Sequence, residues 1–154
     1  MGAAALSNAV SRKLLRHAFQ RVVFHSKQQH NPELSFHDFH THYVSLQQNN
    51  LAAALHASGS IPFVLAGERD INGAPQGHYW DGGIIDYHFD LDQYHGDGLI
   101  LYPHFRADIT PGWFDKFLPW RKASIEDLDK LVLLCPSDAM VADLPYAKIP
   151  DRRD

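Results

Sequence analysis

The sequence predicts an α/β protein in which helices cover both faces of a parallel sheet. Two observations predict this fold class. Short apolar runs that are typical of buried strands alternate with stretches of helical character, and the 154 residues are 45% hydrophobic and 21% charged, as in ordinary globular domains. The predicted strands cover 21–25, 42–46, 61–71, 99–103 and 131–134. We therefore expect one domain, or part of one, with a single core.

The first predicted element is an amphipathic helix at 3–20. Its basic residues are largely displaced from a line of apolar residues that recur every four positions: Leu6, Val10, Leu14 and Ala18. We expect this line to cover a face of the sheet, and an anionic membrane surface is the alternative. Because the stretch is basic and free of acids, a mitochondrial presequence is a further alternative.

The middle of the chain continues the alternation of strand and helix. After the second strand, residues 50–57 are rich in the best helix formers, and Gly59 and Pro62 end that helix. Its small residues would allow a close approach to the sheet. The next strand is predicted at 61–71, and the turn cluster 72–77 follows it.

One acid then stands between two aromatic residues and two glycines, in the order Tyr79, Trp80, Asp81, Gly82 and Gly83. The aromatic residues have strand propensity, and the glycines permit a tight turn in which a Cβ would clash. We therefore predict that a short strand delivers Asp81 to a turn at the mouth of a site. An Asp-Gly hairpin turn is the alternative.

A helix end of the form Ala-Ser-x-x-Ile-Pro, at 57–62, lies about twenty residues before this aromatic-Asp-Gly-Gly turn. Together the two motifs resemble the patatin-like phospholipases. The resemblance is specific over 46–86 and looser through 99–103 and 131–134. It implies a patatin-like three-layer α/β/α sheet that is incomplete, with residues 1–154 forming the later, C-terminal half.

In that family the aspartate of the Asp-Gly-Gly turn is half of a Ser-Asp dyad that hydrolyses lipid esters. The resemblance therefore implies that Asp81 is the catalytic aspartate and that Gly82 and Gly83 form its supporting turn. The family's serine lies in a Gly-x-Ser-x-Gly elbow beside a glycine-rich oxyanion loop, and neither motif occurs in the 154 residues. We expect the chain alone to be inactive, and to act on a lipid or ester substrate when a complementary N-terminal half completes it. A non-catalytic remnant or interaction module of the same fold is the alternative.

Other candidate nucleophiles are less well supported by their surroundings. Ser58 or Ser60 would need His56 as a base, but neither serine has the two flanking glycines of a nucleophile elbow. Serines at a helix end usually form hydrogen bonds with carbonyl groups. We expect these serines to support the end of the helix.

Two clusters have residue types that bind metals. The first contains His37, His40 and His42, but no cysteine joins them and no acid lies at a metalloenzyme spacing. The second is a set of acids that lacks the spacing of a calcium-binding loop: Asp86, Asp90, Asp92 and Asp97. The sequence therefore predicts no metal site and no cofactor.

The aromatic stretch 111–120 places Trp113 and Phe117 one helical turn apart. We predict a short helix packed on the core there, with a lid or a wall for an acyl chain as the alternative. A capping box is predicted at 124–127, and Ser137 is predicted to begin one more short helix.

The charge distribution bears on partners and on location. Five of the 14 basic residues precede the first acid, Glu33, which leaves nine against 18 acids and argues against a nucleic-acid partner. The single Cys135 lies beside an apolar run. We therefore expect its thiol to be buried and the protein to be in a reducing compartment. No apolar run reaches the roughly 18 residues of a membrane span, and the N-terminus reverses the order of a secretory signal. We expect a cytoplasmic protein, and peripheral association with a membrane is the alternative.

Overall fold

A computed structural model of the chain describes residues 2–26, 34–88, 93–121 and 128–150. The described helices are α1 (Gly2–Val10), α2 (Leu51–Ser58) and α3 (Asp138–Ala142). The described strands are β1 (Arg21–His25), β2 (Thr41–Ser45), β3 (Glu68–Arg69), β4 (His78–Tyr79), β5 (Ile100–Pro103) and β6 (Leu131–Leu134). Short 3-10 helices cover Arg12–His17, Gly82–Ile84, Trp113–Phe117 and Pro145–Ala147. The architecture is broadly α/β. None of the described helices has the length and apolar character needed to cross a membrane.

The described strands pair two by two. β1 is parallel to β2, with Arg21 opposite Thr41, and β5 is parallel to β6, with Ile100 opposite Leu131. β3 and β4 form a short antiparallel pair. A parallel pair needs a crossover connection of a dozen or more residues, and the long segments between β1 and β2 and between β5 and β6 meet that requirement.

Most of the predicted elements are confirmed. β1 and β6 have the predicted bounds, and β2, α2 and β5 lie within one residue of theirs. Ser137 begins α3, as predicted, because its Oγ accepts a hydrogen bond from the Met140 amide at 3.2 Å. The capping box predicted at 124–127 lies outside the described residues.

The strand predicted at 61–71 is wrong, since only β3 within it is a strand. The amides of Val64 and Leu65 both donate to the carbonyl of Ile61, at 3.2 and 3.0 Å, and Phe63 has a φ of 69°. These bonds close a turn whose apolar side chains are exposed. A left-handed φ is uncommon for a residue other than glycine, and the apolar pattern carries no sign of it.

The N-terminal segment is helical, but the prediction of which side it buries is wrong. α1 ends at Val10, and Ser11 has an extended conformation that separates α1 from the 3-10 helix after it. All four residues of the predicted line are exposed: Leu6, Val10, Leu14 and Ala18. The buried side consists of Ala4, Asn8 and Leu15. A helix with a small and a polar residue on its inner side can pack closely when the polar group has a partner, and Asn8 has one in Asp115.

The buried core joins segments that are distant in sequence: Ala4, Leu15, Phe39, Ile84, Ile85 and Phe114. It packs α1 and the 3-10 helix after it, the turn after Asp81 and the 3-10 helix Trp113–Phe117 against one another. Trp80 and Trp113 lie on the same cluster and are partly buried. The turn that contains Asp81 is therefore seated directly on the core.

Coverage of both faces of the sheet, which the sequence predicts, is wrong for β5 and β6 within the described part of the chain. Alternate residues of both strands are exposed, and the period of two places them on one face. Because Leu101 lies opposite Val132, these side chains form one apolar surface. We call it the β5–β6 face, and it contains Leu99, Leu101, Val132 and Leu134.

Candidate functional site

Asp81 opens a tight turn shortly after β4. Its side chain caps the 3-10 helix Gly82–Ile84, because Oδ1 accepts a hydrogen bond from the Gly83 amide at 2.8 Å. A short strand thus precedes the Asp81 turn, as predicted, while the hairpin alternative is wrong because the turn leads into a 3-10 helix. Among the described residues no donor reaches Oδ2 of Asp81. One carboxylate oxygen is held and the other is open to a further partner.

The two glycines after Asp81 differ in what their positions require. A Cβ added to Gly83 would lie 3.1 Å from Asp81 Oδ1 and 3.5 Å from Cδ2 of Tyr87. A Cβ added to Gly82 would have no atom within 4 Å. A Cβ at Gly83 would therefore make a tight contact, while the predicted clash is wrong at Gly82, where the backbone has open space beside it.

The Asp81 turn is tied to the end of α2. The Asp81 amide donates to the carbonyl of Ser60 at 3.0 Å, and the Ser60 hydroxyl donates to the carbonyl of His56 at 2.7 Å. The buried residues of α2 are Ala54 and Ala57, while Leu51, Leu55 and His56 are exposed. The helix end at 57–62 and the Asp81 turn, about twenty residues apart in sequence, are adjacent in space.

Ser60 and His56 do not form a nucleophile and its base in this structure. Ser60 is fully buried and its hydroxyl already donates to a backbone carbonyl, which confirms the predicted supporting role. His56 is exposed, and its Nδ1 lies 2.7 Å from Oε1 of Glu68. Ser58 is exposed at the last position of α2.

A cavity of about 460 Å³ lies in front of the Asp81 turn. The size falls within the range of pockets that bind small molecules. Its polar lining includes Ser58, Asp81 and Lys116, and its apolar lining includes Ile61 and Trp113. The remaining lining residues are Pro62, Gly82, Gly83, Ile84, Asp86 and Tyr87. The cavity thus combines a few polar groups with an apolar wall.

The 3-10 helix Trp113–Phe117 forms part of this wall. Phe114 is buried in the core, so the predicted packed helix is confirmed, and Trp113 turns toward the cavity. Lys116 lies over the ring of Tyr87, with Nζ 3.8 Å from the ring centroid. This cation–π contact places a positive charge on the same cavity as the Asp81 carboxylate.

A buried arginine holds the far end of the Asp81 turn. The Asp86 amide donates to the Gly82 carbonyl at 2.9 Å, which closes the turn. The Asp86 carboxylate accepts two hydrogen bonds from Arg21, both 2.7 Å long. Arg21 donates two more to Asp38, at 2.7 and 3.1 Å. Such paired contacts fix the distance between the guanidinium and carboxylate groups and the orientation of their planes. Arg21 therefore joins the turn to the loop before β2.

Arg21 and its carboxylate partners each favour the charged form of the other. Burial lowers the pKa of Arg21, but its hydrogen bonds to Asp86 and Asp38 outweigh it, and the pKa lies above its ordinary value. Burial raises the pKa of Asp38, but the contact with Arg21 outweighs it, and the pKa lies below its ordinary value. Sequence reasoning missed this network, because Arg21 lies 17 and 65 residues from its two partners.

A second arginine reaches the turn from the N-terminal segment. Arg12 donates to the carbonyl of Ile85 and lies 3.6 Å from the carboxylate of Asp38. Its Nε lies 3.7 Å from the fully buried Asp115, whose Oδ1 accepts from Asn8 at 2.8 Å. Buried polar groups from α1 and from the segment after it therefore hold the turn against the core.

The histidines within the described ranges do not come together as a metal site. Among the described residues no group of three or more histidine, cysteine, aspartate or glutamate side chains could hold a metal ion. The rings of His40 and His42 are 4.4 Å apart between centroids, and His37 lies instead beside His95. Asp90 and Asp92 lie outside the described residues. The prediction that no metal or cofactor binds stays a prediction.

His88 is a buried titratable group near the cavity. It is buried, and the Thr110 amide donates to its Nδ1 at 2.7 Å. Burial first, and then the positive charge of nearby His104, lower the pKa of His88 to about 4. His88 is therefore neutral near pH 7 and lies behind the cavity-lining Tyr87, whose ring it contacts.

Comparison with protein-family models, with curated proteins and with solved structures found no match for this chain. The function has to be argued from the site itself. Its features are a capped Asp81, a cavity in front of that carboxylate and a charge network behind the turn.

Proposed function

We propose that Asp81 is the dyad aspartate of a patatin-like serine lipid acyl hydrolase with a three-layer α/β/α sheet, of which this chain supplies the later half. One observation carries the proposal: the Asp81 amide donates to the Ser60 carbonyl at 3.0 Å. This bond joins the two motifs on which the family resemblance rests. Residues of both motifs line the same cavity.

The setting of the Asp81 carboxylate suits a general base. The Gly83 amide holds Oδ1 at 2.8 Å, which orients the carboxylate and leaves Oδ2 for a reacting group. A base has to come within about 2.6–3.2 Å of the atom whose proton it takes. In the proposed reaction Asp81 accepts the proton of a serine hydroxyl while the serine oxygen attacks the ester carbonyl. The proton then passes to the leaving alkoxide, and water releases the fatty acid from the acyl-serine.

The walls of the cavity support an ester with an apolar part as the substrate. Ile61, Pro62 and Trp113 offer apolar surface, while Asp81 and Lys116 offer charge. Ligand sites commonly combine a mainly apolar wall with a few polar groups that set orientation. We propose that the acyl chain lies along the apolar wall and that the ester lies at Asp81.

The nucleophile and the oxyanion donors come from outside these residues. The 154 residues contain no Gly-x-Ser-x-Gly motif. Ser58 borders the cavity but ends α2, and a nucleophile elbow stands between a strand and a helix. Acyl transfer draws its acceleration from a nucleophile, a base and an oxyanion hole acting together. The chain alone is therefore proposed to be inactive.

A non-catalytic interaction module of the same fold is the second candidate. The exposed β5–β6 face favours it, because contiguous apolar surface marks a site of association. In this case the Asp81 turn would serve only to cap a 3-10 helix. The first candidate requires the nucleophilic serine of a complementary half to reach the cavity, and the second does not.

Complementation tests the proposal. The chain is co-expressed with an N-terminal half of a patatin-like domain that carries the serine elbow and the glycine-rich loop, and hydrolysis of a short-chain p-nitrophenyl ester is measured. Activity is expected only when both halves are present. The chain alone and its Ser58→Ala variant serve as controls. Turnover by the chain alone that Ser58→Ala abolishes would contradict the proposal, and so would a stable complex of both halves without turnover.

A further inference from the structure

The N-terminal segment presents an apolar surface to solvent. Leu6 is 74% exposed and Val10 is 81% exposed, on the same side of α1 and one turn apart. Leu14, in the following 3-10 helix, and Ala18, at the end of that helix, are also exposed apolar residues. We call Leu6, Val10, Leu14 and Ala18 the outer N-terminal face.

The opposite side of the segment fixes the direction of this face. Ala4 and Leu15 are buried in the core, and Asn8 is fully buried and donates to Asp115 at 2.8 Å. Arg121 donates to the carbonyl of Asn8 at 2.9 Å. Rotating the apolar residues inward would move Asn8 away from the buried Asp115 and leave that carboxylate without this hydrogen bond, which is unfavourable. The outer N-terminal face therefore stays exposed when the segment is packed as described.

The charges beside this face are positive. Lys13 and Arg16 are exposed in the 3-10 helix after α1, and no acid precedes Glu33 in the sequence. Among the described residues neither Lys13 nor Arg16 forms an ion pair.

The described ion pairs of the N-terminal segment involve its inward-facing arginines. Arg12 and Arg21 contact Asp38, Asp86 and Asp115 on the side of the core. These carboxylates therefore neutralise the buried cations and leave the outward ones without a partner among the described residues.

We propose that the outer N-terminal face docks on the surface of an anionic lipid bilayer. Apolar side chains flanked by exposed cations match the two parts of such a surface, its acyl boundary and its negative headgroups. The match of charge selects the bilayer over a second copy of the chain, because two copies would bring like charges together. The inference stands independently of the proposed hydrolysis.

Sedimentation with vesicles tests this docking. The protein is mixed with vesicles of phosphatidylcholine and phosphatidylserine in equal parts, or of phosphatidylcholine alone. Binding is expected to the mixed vesicles and to weaken with salt. A double variant, Lys13→Gln with Arg16→Gln, should lose about 25-fold in binding, at about fivefold for each charge. Val10→Ser should also bind more weakly.

The matched control is Leu55→Ser, which removes a leucine that is 65% exposed on α2, away from this face. It should bind vesicles like the original chain. Circular dichroism checks that each variant keeps its secondary structure. Equal binding by Leu55→Ser and Val10→Ser would overturn the proposal, as would the absence of binding to mixed vesicles. A dimer that Val10→Ser dissociates would also overturn it, since a second copy would then cover the face.

Discussion

The Asp81 turn and the β5–β6 pair are built in opposite ways. The turn is held by the Gly83 amide at its start, and its end is held by Arg21, which is only 5% exposed. The β5–β6 pair has regular parallel bonding, but Leu101 is 63% exposed and Leu134 is 60% exposed. The turn has polar partners at both ends and packs Ile84 and Ile85 into the core, while the strand pair has one apolar side without a described cover.

The two regions therefore differ in how far their surroundings define their geometry. Hydrogen bonds and ion pairs in a buried setting strengthen one another and define a single geometry for the groups they hold. An uncovered apolar strand face has no such definition and favours association. The structure therefore orients the Asp81 carboxylate by a hydrogen bond, while the C-terminal strands expose apolar side chains among the described residues.

The largest expected effect comes from removing the arginine behind the turn. Arg21→Ala would leave Asp38 and Asp86 without their main partner and should lower the free energy of unfolding by about 3 kcal/mol. Arg106→Ala is the matched control, because its pair with Asp108 is mostly exposed and should contribute less than about 1 kcal/mol. Urea unfolding measures both. Equal losses would mean that the buried network does not define the turn.

The next effect is a dependence of stability on pH through His88. Burial lowers the pKa of folded His88 to about 4, so the unfolded chain binds more protons than the folded chain between that pH and the ordinary value of 6.5. The free energy of unfolding should therefore fall as pH falls through this window, by about 1 kcal/mol per unit. Asp38, whose pKa is lowered, loses its contribution only below its ordinary range.

His88→Gln is the variant for this measurement, since its side-chain oxygen can still accept from the Thr110 amide. Urea unfolding is followed at several pH values between 4 and 6.5. The variant should lack most of the slope. An unchanged slope in the variant would assign the pH dependence to other groups.

A smaller effect compares the two glycines of the turn. Gly83→Ala should lower the free energy of unfolding by about 1 kcal/mol, because the new Cβ would crowd the Asp81 carboxylate. Gly82→Ala, with open space beside it, should change stability by no more than about 0.5 kcal/mol. Thermal unfolding of the two variants side by side measures the difference. The reverse order would contradict the described geometry.

The smallest effect on stability is expected at the β5–β6 face. Leu101→Lys should change the free energy of unfolding by less than about 0.5 kcal/mol, since the side chain is exposed. It should nevertheless reduce self-association, which light scattering measures, because a lysine discourages apolar contact. Leu55→Lys, an exposed leucine away from that face, is the control. A monodisperse original chain at micromolar concentration would contradict an association-prone face.

Local signals in the sequence predicted the parts of the structure that depend on neighbouring residues. The apolar run of β1, the helix formers of α2 and the glycines after Asp81 each act within a few positions. The position of Asp81 at a turn was in this sense accessible. The charge network was not, because Arg21 and Asp86 are 65 residues apart and neither is marked by a motif.

Two of the wrong predictions have related causes. Helical periodicity predicted that Leu6 and Val10 share a side, which they do, but it cannot say that Asn8 finds a partner 107 residues away and faces inward instead. An apolar run predicted a strand after Pro62, but the left-handed φ of Phe63 closes a turn there. In both cases a tertiary contact or a single dihedral angle outweighed the local pattern.

The most direct test of the central claim is the rate of the complemented enzyme with Asp81→Asn. The amide keeps nearly the same shape but cannot accept the serine proton, so the rate should fall by a factor of about a hundred to ten thousand. Asp97→Asn is the matched control, because Asp97 is also followed by a glycine but is exposed away from the described cavity lining. It should keep the original rate, and both variants should unfold at similar urea concentrations. An Asp81→Asn enzyme that hydrolyses the ester as fast as the Asp97→Asn enzyme would contradict the assignment of Asp81 as the base.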